Sequence, residues 1–210
     1  MIIKVWSDIR CPFCYIAKRK LENAISQFKN NNKEDVIVEW KSFELDPNLQ
    51  TNISINTIDH YVSKGAGKQQ MEGLFSNATK MAKEVGIDFN LDDTRVANSF
   101  KAHKLVHAAK TLNKQSEAKE LLLKAYFTEG KNIDDISILL DTGITLGFKA
   151  EDLEDILKND TLANSVSNDQ KLAKEIGISG VPFFVFNDKH VISGAQPEEV
   201  FLEAMEKCKG

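Results

Sequence analysis

The chain has 210 residues, 42% of them hydrophobic and 28% charged, with a formal net charge of −4. That is an ordinary globular composition, and at this length folding buries roughly 70% of the unfolded surface, so no disulfide staple or metal is needed for stability. Charges of both signs are dispersed and only Arg10, Arg19 and Arg95 are arginines, which argues against a nucleic-acid or membrane surface and against arginine-built phosphate sites.

Residues 2–7 are short, apolar and followed by a polar loop, which predicts a buried strand. No charged stretch leads into a long apolar run here, and no later run approaches the ~20 residues of a membrane span. The expectation is a cytoplasmic chain whose thiols stay reduced. Pro12 suits the first turn of a helix. Cys14, Ala17, Leu21, Ala24, Ile25 and Phe28 then recur at helical spacing until Asn30, Asn31 and Asn32. Residues 36–43 are β-branched and aromatic and predict a second strand, so the first segment reads as a right-handed parallel βαβ unit.

From about residue 57 to 176 the pattern predicts helices only. One spans about 68–85 and stops at Gly86. Another starts near Thr94, capped by Asp92 or Asp93, and carries Val96, Phe100, His103 and Leu105. A third holds Leu121, Leu122, Ala125 and Tyr126 and stops at Gly130. Shorter ones follow over 136–140, 150–157 and 162–176. Beyond the block, residues 182–186 and 189–193 flank Asn187-Asp188 as a β-hairpin. Pro197 opens a last helix with Val200, Phe201, Ala204, Met205 and Cys208 on one face. The two ends together make one α/β sheet unit (1–56 and 177–210), and 57–176 is a helical insertion lying over it.

The chemistry points to Cys11-Pro12-Phe13-Cys14. A spacing of three on a helix puts both sulfurs on one face, within reach of a disulfide. Unpaired N–H groups and the partial positive charge of the helix N-terminus favour a thiolate at Cys11, which is predicted to be the exposed, acidic, attacking thiol. Cys14, one turn inward, is predicted to be buried and to resolve the mixed disulfide. Zinc is the competing reading, but it needs two further ligands. Cys208 stands alone, and His103 and His107 lack an H-E-x-x-H frame, so no metal is expected. Cys208 reads as a packed small hydrophobe rather than a regulatory thiol. Trp6, Trp40, Phe183 and Phe184 read as core, and Lys18, Arg19 and Lys20 as a solvated helix face. Asp8 and Arg10 either tune Cys11 or are plain loop charges.

The stretches Ser7-Asp8-Ile9-Arg10-Cys11-Pro12-Phe13-Cys14-Tyr15-Ile16, Phe43-Glu44-Leu45-Asp46-Pro47, Asn98 with His103, Ala125-Tyr126-Phe127-Thr128-Glu129-Gly130, Gly180-Val181-Pro182-Phe183-Phe184 and Ser193-Gly194-Ala195-Gln196 resemble the DsbA family, in particular its FrnE-like cytoplasmic branch. The resemblance implies a thioredoxin-like fold (βαβ…ββα) with a large inserted all-helical domain. It implies dithiol–disulfide exchange by Cys11 and Cys14 without metal or organic cofactor, in the reductase or isomerase direction. It also implies a cis peptide before Pro182, with the Val181 backbone, Pro182 and Phe13 meeting the substrate. His103 either lines the substrate cleft or is packed. Phe13 stands where DsbA has His and many FrnE-like members have Trp. It adds no charge, so the resemblance implies a Cys11 less acidic than the ~3.5 of DsbA and nearer the ~7 of thioredoxin. Protein or small-molecule disulfides are the expected partners, with glutathione a plausible electron donor. Two other functions compete: a glutathione-dependent transferase or isomerase of the kappa or hydroxychromene-carboxylate isomerase type, which typically has a single Ser at the position of Cys11, and a non-enzymatic adaptor. Nothing in the sequence sets the oligomeric state.

Overall fold

The computed structural model describes residues 1–32 and 34–209. In chain order its elements are β1 (Ile2–Ser7), α1 (Pro12–Asn31), β2 (Ile37–Ser42), β3 (Asn52–Asn56), α2 (Thr57–Ser63), α3 (Lys68–Glu84), β4 (Arg95–Val96), α4 (Phe100–Ala108), α5 (Gln115–Phe127), α6 (Ile136–Leu146), α7 (Ala150–Lys158), α8 (Asp160–Glu175), β5 (Phe183–Phe186), β6 (His190–Ser193) and α9 (Glu198–Cys208). The main sheet runs in the order β2-β1-β5-β6. β1 is parallel to β2 and antiparallel to β5, and β5 is antiparallel to β6.

Alternation along β1 decides what lies on each face of the sheet. Ile3 and Val5 share a core with Phe184, Phe186 and the helices α1 and α9, where the Phe184 and Phe201 rings meet edge-on at 4.8 Å. Trp6 points the other way, into a second cluster with Ala173, Ile178 and Val185. Its indole N–H donates to the Asp169 carbonyl at 3.1 Å, which ties β1 to α8. Asn187 and Asp188 have φ of +47° and +54°, the pair of positive values a type I′ hairpin turn needs. Asn187 Oδ1 also accepts the Ile2 N–H at 2.8 Å, so the turn is fastened to the start of β1.

The inserted block departs from the expectation in several places. It holds strand as well as helix, because β4 pairs antiparallel with β3. The helix expected near Thr94 begins at Phe100. Asp92 and Asp93 lie in a short 3-10 turn rather than a cap. Asn98 Oδ1 accepts the Phe100 N–H at 2.7 Å and the Asn98 N–H donates to Thr51 Oγ1 at 2.9 Å, side-chain bonds that hold the chain out of the helix until Ser99. The short helix α2 was not anticipated. Asn56 caps it by accepting the Asp59 N–H at 2.8 Å.

Two surface assignments also change. Lys18 is 2% exposed, and it pairs with Glu22 and Glu120 while Arg19 pairs with Glu120 at 2.7 Å. Lys18 and Arg19 therefore form a charged seam against α5, with Lys18 buried in it, while Arg19 and Lys20 stay partly exposed. Val200 is exposed and lies off the buried stripe of Phe201, Ala204, Met205 and Cys208. α6 and α7 approach closely at Gly143, where a Cβ would run into the Leu153 side chain. One apolar core runs from the sheet helices (Phe28, Phe201) into the block (Leu105, Leu122, Leu139, Leu153). No described helix is long and apolar enough to cross a membrane.

Candidate active site

Cys11 is the residue before Pro12 and caps α1 with an extended backbone, φ −96° and ψ 113°. The loop that brings it there is tight: the Cys11 N–H donates to the Asp8 carbonyl at 3.3 Å, and the Cys14 N–H to the Cys11 carbonyl at 3.0 Å. Both cysteines, and Cys208, are free thiols. Cys11 is 5% exposed and Cys14 1%, so Cys11 is the outer sulfur but not the openly exposed one expected. What covers it is the loop before β5. The Cys11 thiol donates to the Val181 carbonyl at 3.6 Å, and the Val181–Pro182 bond is cis, as the resemblance implies. The Gly194 N–H holds the Pro182 carbonyl at 2.8 Å, pinning this loop to β6. Phe13 is half-buried against the main core.

The adjoining Cys14 sulfur and burial push Cys11 up. Burial pushes Cys14 the same way, but the neighbouring Cys11 thiol, the Ser7 hydroxyl and the Lys119 ammonium outweigh it and bring Cys14 down. Ser7 Oγ makes no hydrogen bond of ordinary geometry.

Asp8 and Arg10 are buried, not plain loop charges. Burial alone would raise the Asp8 carboxyl. The His103 ring at 3.5 Å, the Arg10 guanidinium and the backbone N–H of Leu45 at 2.8 Å outweigh it and hold Asp8 well below the usual carboxylate range. Burial also pushes His103 down. A ring kept neutral lends Asp8 little charge, so Arg10 and the N–H donors keep it ionised at neutral pH. His103 is 1% exposed and faces Asp8, which places it among the packed groups and not on a cleft wall.

Two residues of this neighbourhood were not singled out beforehand. Lys119 on α5 is 1% exposed. Its ammonium donates to the Ser7 carbonyl at 3.1 Å and lies 5.8 Å from the centre of the Trp40 ring. Burial pulls its pKa down to about 8, against the charges of Cys14, Asp8 and Cys11. Its spacing from Leu122 and Tyr126 on the buried stripe of α5 is the signal that could have found it. Glu44 is 6% exposed, and burial pushes it up to about 7. One of its oxygens accepts from Gln170 Nε2 at 2.8 Å, and the other is buried without a partner. Cys208 packs far from the pair, its thiol 3.8 Å from the Phe186 carbonyl. Among the described residues no group of three or more His, Cys, Asp or Glu side chains is placed to hold a metal ion.

The chain that bears this thiol pair is similar to known proteins over nearly its whole length. The model of the DSBA-like thioredoxin domain matches residues 2–206. Bacillus subtilis YwbO is 31% identical over 206 residues, spanning 97% of this chain and 94% of that protein. The probable DsbA oxidoreductase of Streptomyces coelicolor superposes with a TM-score of 0.90 at 28% identity, covering 99% of this chain and 89% of that one. At lower identity the fold is also that of 2-hydroxychromene-2-carboxylate isomerase (TM-score 0.75, 16% identity, 99% and 95% covered). It is likewise that of the cytosolic disulfide reductase DsbM of Pseudomonas aeruginosa (0.70, 19%, 100% and 100%), which has also been solved with GSH.

Proposed function

The chain belongs to the DSBA-like thioredoxin domain family, and from that premise we propose that it exchanges a dithiol for a disulfide, with Cys11 attacking and Cys14 resolving. The observation that carries this reading is the pair of free thiols at the start of α1, whose outer member faces the Val181 carbonyl at 3.6 Å. Cys11 loses its proton, and its thiolate attacks one sulfur of a substrate disulfide. The other substrate sulfur leaves as a thiolate. Cys14 then attacks the Cys11 sulfur as its thiolate, closing the intramolecular disulfide and expelling the second substrate sulfur as a thiolate, which takes up a proton equal to the one Cys14 lost. The substrate gains the two electrons that the cysteine pair loses.

In this reading the Val181 carbonyl exchanges its contact with Cys11 for a contact with an incoming peptide, while Pro182 and Phe13 shape the place where it lies. His103 acts from behind, through Asp8, rather than on the substrate. Residues 1–56 and 177–210 form the thioredoxin-like unit that bears the cysteines, and 57–176 form the insertion that closes over them. The FrnE-like motifs and the likeness to a cytosolic reductase solved with GSH support a cytoplasmic, reductase-directed role in which glutathione or a similar thiol returns the pair to the dithiol.

Cys14→Ser tests this. Serine is nearly isosteric but cannot resolve, so the mixed disulfide on Cys11 should persist, because the lost step is intramolecular and otherwise fast. Thiol-sensitive higher bands should appear on non-reducing gels of acid-quenched cells for Cys14→Ser and not for Cys11→Ser. If neither variant traps a partner, even under disulfide stress, protein disulfides are not the substrate. The fold likeness to 2-hydroxychromene-2-carboxylate isomerase favours one further reading, glutathione-dependent isomerisation or transfer. Insulin reduction run beside glutathione conjugation separates the two.

A further inference from the structure

An arginine presents its N–H donors as a rigid fork, and a protein that buries one ordinarily gives it a carboxylate. Arg19 meets Glu120 at 2.7 Å and Glu22 at 3.6 Å, and Arg95 meets Asp93 at 3.8 Å. Arg10 is more buried than either, at 7% exposure, yet no carboxylate oxygen stands within 4.0 Å of its guanidinium among the described residues. Its Nε is sealed from solvent without an acceptor. The terminal nitrogens make no hydrogen bond of ordinary geometry either, but they are not sealed, so they hold the contact with solvent that the residue keeps. The groups that face the guanidinium are Asp8, Glu44, His60, Tyr61 and Tyr126. Their polar atoms are largely spent elsewhere. Asp8 Oδ1 accepts the backbone N–H of Arg10 at 3.1 Å and faces His103 at 3.5 Å, while Asp8 Oδ2 accepts the Leu45 N–H at 2.8 Å. One Glu44 oxygen accepts from Gln170 Nε2 at 2.8 Å, and the Tyr126 hydroxyl donates to the Arg95 carbonyl at 2.8 Å. Arg10 is bonded directly to Cys11, so their Cα atoms are about 3.8 Å apart. The same Asp8 residue holds both in one turn, accepting the Cys11 N–H on its carbonyl at 3.3 Å.

We infer that the Arg10 guanidinium is an anion subsite beside Cys11, selecting small disulfides that bear a carboxylate a few bonds from the attacked sulfur. This rests on the reading of Cys11 as the attacking thiol and adds the substrate class to it. Charge alone does not decide the ligand, because the ionised Asp8 already offsets the Arg10 charge from a distance. What stands unfilled is the hydrogen-bonding capacity of the fork. A carboxylate fills it with two parallel, charge-assisted bonds. A hydroxyl accepts from one arm only, and an ammonium has no lone pair to offer. The other cation of this neighbourhood, Lys119, is 1% exposed and already donates to the Ser7 carbonyl at 3.1 Å. Phe13 and the Val181–Pro182 loop carry no charge. Arg10 is therefore the residue around Cys11 that can tell an anionic disulfide from a neutral one.

The test compares three small disulfides that differ in the charge of their ends: anionic dithiodipropionate, neutral hydroxyethyl disulfide and cationic cystamine. Each probe in excess oxidises the reduced Cys11–Cys14 pair and is itself reduced to its two thiols. Acid quench, alkylation and intact mass follow the loss of the dithiol. Dividing each rate by that of free mercaptoethanol with the same probe removes the probe's own reactivity. The wild type should then prefer dithiodipropionate over the neutral probe by about tenfold or more, the scale of a charge-assisted contact, with cystamine slowest. Arg10→Met should erase most of that preference, even where it changes all three rates together through Cys11. Arg10→Lys keeps the charge without the fork and should keep only part of the preference. The wild-type comparison and Arg10→Lys carry the test if Arg10→Met does not fold. Equal corrected rates for the three probes in the wild type overturn the inference and leave the exchange reading standing, as does a preference unchanged in either variant. No oxidation of the pair by any of the three would instead remove the exchange reading.

Discussion

Glu44 is a buried carboxyl whose charge state changes near neutral pH. Burial lifts its pKa to about 7 from the usual 4.5. A carboxyl raised in the folded state contributes fully below its unfolded pKa, and that contribution is lost as pH rises through the folded value. The native protein should therefore weaken, relative to a variant without this group, between about pH 4.5 and 7. Glu44→Gln should match the wild type in denaturant melts near pH 4.5 and be more stable by about 1–3 kcal/mol at pH 8. A difference that does not vary with pH would mean that the unpartnered oxygen, not its ionisation, governs the site. The cysteine motif was legible at this scale because its spacing and its place after a strand are local. Lys119, Glu44 and the burial of Lys18 were not, since a charged side chain is drawn inside by partners more than a hundred residues away in three of the contacts that hold them: Ser7 for Lys119, Gln170 for Glu44 and Glu120 for Lys18.

At the scale of elements, legibility followed the range of the forces. β1, α1 and the β5–β6 hairpin form where periodicity, a helix-starting proline and turn chemistry agree within a few residues, and these three frame the site. The boundary before α4 was misplaced because Thr51, distant in sequence, accepts the Asn98 N–H, and a two-residue strand such as β4 carries no periodic signal. The α6–α7 contact makes a sharp prediction of its own. Gly143→Ala would drive a methyl group into Leu153, and such overpacking costs about 1–3 kcal/mol. Melting should fall by roughly 2–10 °C for a chain of this length while disulfide reduction at the distant site is retained. An unchanged melting temperature would show that Leu153 rearranges freely and that the close approach is incidental.

Across the whole molecule, the sheet and the inserted block share one continuous core, and the charged seam of Lys18, Arg19 and Glu120 binds α1 to α5. Residues 57–176 therefore have no separate interior to keep when the sheet opens. Calorimetry should show a single transition with equal calorimetric and van't Hoff enthalpies. Two resolved transitions would show instead that the block is an independent unit hung on the sheet.

The strand order has a consequence for the chain while it is being made. β1 is central, with β2 on one side available almost at once, but its other neighbour is β5, which begins at Phe183. At about 5–20 residues per second, that edge stays open for roughly ten to forty seconds on the ribosome. Over this interval Cys11 and Cys14 exist as a helix-borne pair without their roof, because the Val181 carbonyl has not yet been synthesised. A ribosome-bound chain stalled before residue 183 should show both thiols open to rapid alkylation and β1 open to protease, and both should close once the hairpin emerges. The nascent protein thus carries its most reactive atoms, beside an unpaired strand edge, for most of its synthesis.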